Sequence, residues 1–436
     1  MFYLAAPAIL ALAAPQAPVQ NEIRSAIVQD YDEYLGPLFE HFHRNPELSF
    51  LEHKTAARLA AELRAAGAEV TEGVGGTGLV GILSNGEGPL VLVRADMDGL
   101  PIKEQSGLQY ASQATFTPDD GSELPVMHGC GHDVHMTAMV AVARWMSRHK
   151  DQWSGKVMFV GQPAEERIGG ARAMLKDGLY ERFGVPDQAL AMHVSAGSPA
   201  GKIQLRSGLT ASSSDSVDIV VHGIGAHGAS PHRGKDPIYI ASQIVVALQG
   251  FVARELAPLE PGVITVGSFH AGFKHNIIPS EARLELTVRS DSDATREKLL
   301  TGIERIAEHI ARANGLPDDK LPDVTRTPES TPPTKNDPVL AKRLITTFTE
   351  HFGSDGLYEE DRAGMGAEDF AYFVKTSHKV PGAYFQVGGT LESEIIQAAE
   401  GGAAVPSHHS PFFRIEPRPS VTRGAEAMVV ALLELL

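Results

Sequence analysis

The sequence has one cysteine, Cys130, in 436 residues, so no internal disulfide is possible and the fold must rest on a packed core. Packing, reactivity and metal ligation remain as roles for that thiol. Basic residues are also few. Against 54 Asp and Glu stand 38 Lys and Arg, giving a formal net charge of −16. No Lys/Arg-rich run occurs, and phosphate binding needs clustered cations, so nucleic acid is not expected as a partner. Internal repeats are absent, and so are low-complexity tracts beyond the first twenty residues. What remains is an ordinary globular composition, 43% apolar and 21% charged. It excludes a disordered chain, a fibre and a polytopic membrane protein. At roughly 150 residues per domain, the length implies two or three domains.

The first twenty residues, MFYLAAPAILALAAPQAPVQ, carry no charge. Small residues around Ala14 and Ala17 suit signal-peptidase cleavage, and the run is shorter than the about 20 residues of a membrane span. Residues 1–20 are therefore expected to be a signal peptide, with the mature protein periplasmic or secreted and free of the membrane. A cytoplasmic protein with an apolar tail is the alternative.

Residues 21–67 read as two helices separated at HFHRNPELSF, where Pro46 stops the first. LVLVRA (90–95), KVMFVG (156–161) and QALAMH (188–193) read as buried strands, with a helical stretch from Val134 to His149 between the first two. Strands alternating with helices predict an α/β fold, a mostly parallel sheet covered by helices on both faces. Ligands gather beyond the carboxyl ends of such strands. These three lead into Asp96–Met97–Asp98, Glu165–Glu166 and His193. From about Ser212 a β-α-β-β-α block follows, expected to be an inserted, smaller α+β (ferredoxin-like) domain. The Pro/Asp/Thr-rich stretch 316–338 reads as its return linker. The expected organisation is a catalytic domain in two parts, 21–211 and 323–436, interrupted by a lid or dimerisation domain at 212–322.

The segment MHGCGHDVH (127–135) packs Cys130, His132 and Asp133 around two glycines before a helix. Thiolate and imidazole two residues apart can reach one ion. A buried Cys beside satisfied histidines is the plain alternative for this segment alone. Glu165 and Glu166 alternate in direction at a strand end, so one can ligate while the other faces a reactant. His193 and the pair His408–His409 complete a set of one thiolate, three imidazoles and one carboxylate. Mixed N/O/S donors suit Zn²⁺, Mn²⁺, Co²⁺ or Ni²⁺ better than Mg²⁺ or Ca²⁺. Hydrolysis also needs a carboxylate that is not a ligand. A metal lowers the pKa of water from about 15.7 toward 7, and the base removes its proton. Glu165 takes that part, passing the proton on to the leaving amine. Asp98 would orient a ligand histidine. Five donors exceed the needs of one tetrahedral ion, so two ions about 3.5–4 Å apart are expected.

The motifs RADMDGLPI, MHGCGHDVHMTA, GQPAEE, AMHV, GAHGASPHRGKDP, KHNIIPSEARLELTVRS, MGAEDF and HHSPFF together resemble the amidohydrolase branch of the aminoacylase/carboxypeptidase family, which includes hippurate hydrolase and the auxin-conjugate amidohydrolases. The resemblance runs in order over residues 21–436. It implies a binuclear hydrolase whose ions are bound by Cys130, His132, Glu166, His193 and His409, with Glu165 as base. Asp96 stands where relatives carry a ligand histidine and is not assigned as one. His227 resembles a histidine that stabilises the oxyanion. Asn276 and Arg289 resemble positions holding the substrate's carboxylate or amide end; a surface charge is the plain alternative for Arg289. His232, His275 and Glu368 would line the cleft, although unaided each reads as a surface residue. His41, His43, His149 and His351 have no companions and read as solvated.

The expected activity is metal-dependent cleavage of the amide bond of an N-acyl amino acid. The partner is that small molecule or a short peptide. A carboxypeptidase or dipeptidase with the same site is the alternative. A binding protein that has lost catalysis would lack one of the six residues, and a cysteine hydrolase using Cys130 with His132 as base would survive chelation. A homodimer through the inserted domain is expected, since an exposed sheet edge invites pairing, with His227 acting across the boundary.

Overall fold

A computed structural model describes residues 17–436. The signal peptide expected over 1–20 lies, as far as residue 16, outside the described residues. Helix α1 (Ala17–Asp30) passes through a π turn at Tyr31–Leu35 into α2 (Gly36–Arg44), which ends ahead of Pro46 because the residue before a proline is pushed out of the helical region. Next come α3 (His53–Ala65), the strands β1 (Glu69–Val74), β2 (Gly78–Asn85) and β3 (Leu90–Asp96), then α4 (His132–Arg148). β4 (Gly155–Gln162), α5 (Gly170–Lys176), β5 (Gln188–Pro199) and β6 (Ile203–Gln204) complete the first part.

A second unit holds β7 (Ser213–His222), α6 (Pro237–Glu255), β8 (Gly262–Ala271), β9 (Glu281–Ser290), α7 (Asp293–Ala313) and β10 (Asp323–Thr331). The chain then returns through α8 (Pro338–Phe352), β11 (Gly382–Thr390) and α9 (Pro417–Leu435).

The main sheet runs β1-β2-β4-β3-β5-β11-β6. Its four central strands β4, β3, β5 and β11 are parallel, and the outer ones antiparallel. Both faces are apolar because both are covered. Along β3, Val91 and Val93 enter the core shared with α4 and α9, while Leu92 enters the opposite core with Met174 of α5. Helix α4 is buried nearly all round, so it is a core helix rather than an amphipathic one. The fold class is α/β as read.

The inserted unit is a fully antiparallel sheet, β8-β9-β7-β10, with α6 and α7 sharing one hydrophobic core on it. Asp236 and Ser292 cap the two helices, accepting from Ile238 N and Thr295 N. Among the described residues only α6 is long and apolar enough to cross a membrane by composition, and Ile240, Ile244, Leu248 and Phe251 bury its inner face in that core.

Two local readings are corrected. The stretch read as a return linker carries β10, which pairs with β7 from Ser214↔Thr331 to Val220↔Asp323 and so extends the inserted sheet past residue 322. Its sequence, DVTRTPEST, is polar and contains Pro328, which only an edge strand accommodates. The strand read as ending at His193 continues to Pro199, because β11 stays paired with it that far.

Candidate active site and metal centre

Four segments deliver side chains to one end of the parallel strands. β3 brings Arg94 and Asp96 and the loop after it Asp98; Gly131 opens α4 behind Cys130; β4 runs into Ala164–Glu166; β5 supplies His193 from within the strand. Gly131 has φ +86°, and a side chain there would overlap Val194 on β5, so glycine lets α4 start hard against the neighbouring strand. The C-terminal segment is tied in by His409 N donating to Gly129 O at 2.9 Å.

The structure brings Cys130, His132, Glu166, His193 and His409 together. Cys130 Sγ lies 3.5 Å from His193 Nε2, His409 Nε2 3.3 Å from Glu166 Oε2, and His132 Nε2 4.0 Å from Glu166 Oε1. Donor atoms of Cys130, Glu166 and His409 all lie within 4.8 Å of one another, as do those of His132, Glu165 and Glu166. Metal–ligand bonds of about 2.0–2.3 Å put the donors of one ion at such separations. His132 Nε2 and Glu166 Oε1 are buried with no hydrogen-bond partner, which is costly unless something fills the space between them. The S, N and O donors with these orphaned atoms fit divalent ions. His408 borders the same cavity as Cys130, Glu166 and His409, but its ring nitrogen is engaged by the backbone. Its Nε2 accepts from Ala196 N at 3.1 Å, and burial holds its pKa down to about 3.

Asp98 organises this cluster. His132 Nδ1 donates to the Asp98 backbone oxygen at 2.7 Å and stands 3.3 Å from its carboxylate, leaving Nε2 to face Asp96 at 3.5 Å and Glu166 at 4.0 Å. The same carboxylate accepts Glu165 N and Glu166 N, each at 3.1 Å, and Ser49 Oγ at 2.6 Å. Asp96 is occupied by Arg94 at 2.7 Å and His135 Nδ1 at 2.5 Å. His135 Nε2 accepts from Val194 N at 2.9 Å, so this ring is the tautomer that donates to Asp96.

The electrostatics call for cations. Burial, then Glu166 and Glu165, push the Cys130 thiol well up, so the thiolate of a cysteine nucleophile is disfavoured; its near neighbour is His193, not His132. Burial opposes a charged His132, yet Asp96 and Asp98 raise it to about 10. Burial holds His193 far below its ordinary range. Glu165 is buried, and desolvation followed by Glu368 and Glu166 raises its carboxyl far above normal.

Glu165, Glu166, Cys130 and His409 line a cavity of about 770 Å³ that Arg289 of the inserted unit also borders. Arg289 is half-buried and, among the described residues, has no ion-pair partner. Glu368 also lines the cavity but is no surface residue. It is buried, held by Arg94 at 2.7 Å and by Phe370 N at 2.9 Å. His227, His232, His275 and Asn276 do not line the cavity. His227 and Asn276 sit side by side elsewhere on the inserted unit, where Gly228 N donates to Asn276 O at 2.8 Å.

Three histidines read as solvated are engaged. His43 is buried between Asp133 at 2.6 Å and Glu104 at 3.1 Å. His351 meets Glu426 at 3.0 Å, and His149 stacks on Trp145. Sequence reasoning also passed over Arg94, Asp369 and Glu52. An arginine inside the apolar run LVLVRA was the available signal, since a buried cation needs acids around it.

Residues 92–411 match the peptidase family M20/M25/M40. The chain is 35% identical to thermostable carboxypeptidase 2 of Saccharolobus solfataricus, over 88% of this chain and 91% of that protein. It is 37% identical to hippurate hydrolase of Campylobacter jejuni, over 76% and 83%. A dinuclear metal-binding peptidase of the M20 family from Bacillus subtilis superposes with a TM-score of 0.72 at 26% identity, covering 94% of this chain and all of that one.

Proposed function

The chain belongs to the M20/M25/M40 peptidase family of metal-dependent hydrolases, and on that premise we propose that it cleaves the amide bond of N-acyl amino acids at a binuclear centre. The observation that carries this reading is the placement of Glu165. It lies on the cavity wall with a carboxylate oxygen within 4.8 Å of donor atoms of His132 and Glu166, yet outside the Cys130–Glu166–His409 group. Cys130, His132, Glu166, His193 and His409 would hold two ions, of Zn²⁺, Mn²⁺, Co²⁺ or Ni²⁺, with Glu166 common to both groups of donors. When bound, the ions lower the pKa of a water and polarise the scissile carbonyl. Glu165 accepts a proton from the attacking water and delivers it to the departing nitrogen, so that one water and one amide give a carboxylic acid and an amino acid. Arg289, whose guanidinium forms no ion pair among the described residues, receives the substrate's carboxylate. Glu165→Gln tests the reading: full metal loading with kcat reduced by on the order of a thousandfold or more is expected, and near-wild-type kcat would overturn it.

The relative named a carboxypeptidase supports a second reading, with free peptides as substrates at the same site. Release assays across N-acyl amino acids and dipeptides separate the two. His227 and Asn276 lie off the cavity of their own chain, which supports a homodimer in which they serve a partner's site; β8 is a sheet edge, and Tyr239 and Val246 of α6 are exposed on the same unit. The apolar leader supports export, tested by the N-terminal sequence of the mature protein.

A further inference from the structure

The turn carrying the proposed base is held by acids that are not expected ligands. Ala164, which precedes Glu165, is fully buried with φ +49°, a left-handed conformation that a residue with a Cβ adopts only when its surroundings enforce it. Its N–H donates to Glu52 Oε1 at 2.8 Å. The same oxygen accepts Phe50 N at 2.9 Å, and Phe50 is itself left-handed at φ +63°. The other oxygen, Oε2, accepts the Thr77 hydroxyl. The next two amides of the turn, Glu165 N and Glu166 N, go to Asp98, which Ser49 anchors. Three consecutive N–H groups therefore end on two buried carboxylates, both fastened to the short segment 49–52, more than a hundred residues upstream.

We infer that Glu52 is a positioning residue, which through its hydrogen bond to Ala164 N holds the turn so that Glu165 projects into the cavity and Glu166 toward the ion cluster. The inference rests on Glu165 being the base. Glu52 is fully buried, does not line the cavity, and belongs to none of the side-chain groups able to share an ion, so it acts only through the backbone it grips. Without the bond, an orphaned amide and a strained φ both favour a different turn, and displacement of a catalytic group by about 1 Å costs on the order of a hundredfold in rate.

Because both amides share Oε1, glutamine can keep them with its carbonyl while its NH₂ donates to Thr77. Glu52→Ala and Glu52→Gln are compared with wild type for kcat, KM and bound metal. Glu52→Ala is expected to lose kcat by on the order of a hundredfold, with KM and metal content little changed, and Glu52→Gln to restore kcat to within about threefold of wild type. Should the alanine variant fail to fold, Glu52→Asp, which keeps the carboxyl group but draws the acceptor back from Ala164, is expected to show the same kcat loss. A wild-type kcat per metal-loaded molecule in Glu52→Ala, or in Glu52→Asp where that variant replaces it, overturns the inference, as does a glutamine variant no better than alanine. Glu165→Gln is measured in parallel. If it stays active the base assignment fails, whereas an inactive Glu165→Gln beside an unaffected Glu52 variant removes this inference alone.

Discussion

Arg94 donates to Glu368 at 2.7 Å, joining the buried strand β3 to a turn 274 positions later. The guanidinium is fully buried and also reaches Asp96 at 2.7 Å, Gln162 at 2.8 Å and Asp369 at 3.4 Å. It is the cation that compensates three buried acids, two of which, Glu368 and Asp369, lie close to Glu165. Arg94→Met should leave those acids buried and uncompensated, lowering stability by about 3–5 kcal/mol. Chemical denaturation checks this, and adding Glu368→Gln to Arg94→Met should recover part of the loss.

Asp98 bears on metal affinity as well as on the turn. Asp98→Asn weakens the carboxylate's hold on His132 and on two backbone amides. Metal affinity, measured by competition with a chelator, is expected to fall about 10- to 100-fold. Unchanged affinity would mean that His132 needs no orienting acid.

Arg289 should act on binding. Arg289→Ala removes a charged hydrogen bond worth about 1.5–3 kcal/mol, so KM for an N-acyl amino acid should rise about 10- to 100-fold with kcat nearly constant. The carboxamide analogue, which lacks the charge, should be affected far less. Equal effects on the two substrates would remove Arg289 from carboxylate recognition.

His43 predicts an alkaline loss of stability. Burial disfavours its charge, but Asp133 and Glu104 raise its pKa to about 9. A folded pKa above the unfolded value of about 6.5 means that the stabilisation is full below pH about 6.5 and disappears as pH rises through about 9. Urea midpoints should therefore fall between pH 7 and 10, by on the order of 3 kcal/mol in unfolding free energy. His43→Gln should flatten that slope, and a wild-type midpoint constant over the range would contradict the buried ion pair.

The proposed dimer predicts that charge on the open face of the inserted unit separates the subunits. Tyr239 and Val246 of α6 are 58% and 72% exposed. Tyr239→Glu with Val246→Glu should give a monomeric mass by sedimentation and lower activity, since His227 lies off its own cavity. A fully active monomer would place the oxyanion contact elsewhere.

Legibility followed the range of the forces involved. LVLVRA, KVMFVG and QALAMH are strands buried on both faces, so their apolar runs announce them. β10 escaped because an edge strand needs neither an apolar face nor a free amide at Pro328. His43 looked solvated because its partners lie 61 and 90 positions away. Glu52 gave no signal at all, since its work is done on the backbone of Ala164.

The chain's chemistry was written in residue types and order: a lone thiol two positions from an imidazole, adjacent acids after an apolar strand, a histidine before Ser–Pro. Local periodicity and donor chemistry suffice for that, because strands declare themselves within six residues and a soft-to-borderline ligand set is a matter of composition. Tertiary packing alone decided that Glu368 belongs to Arg94 and that His227 stands apart from the cavity. Those outcomes depend on strand order and on contacts between segments hundreds of residues apart, which no local spacing encodes.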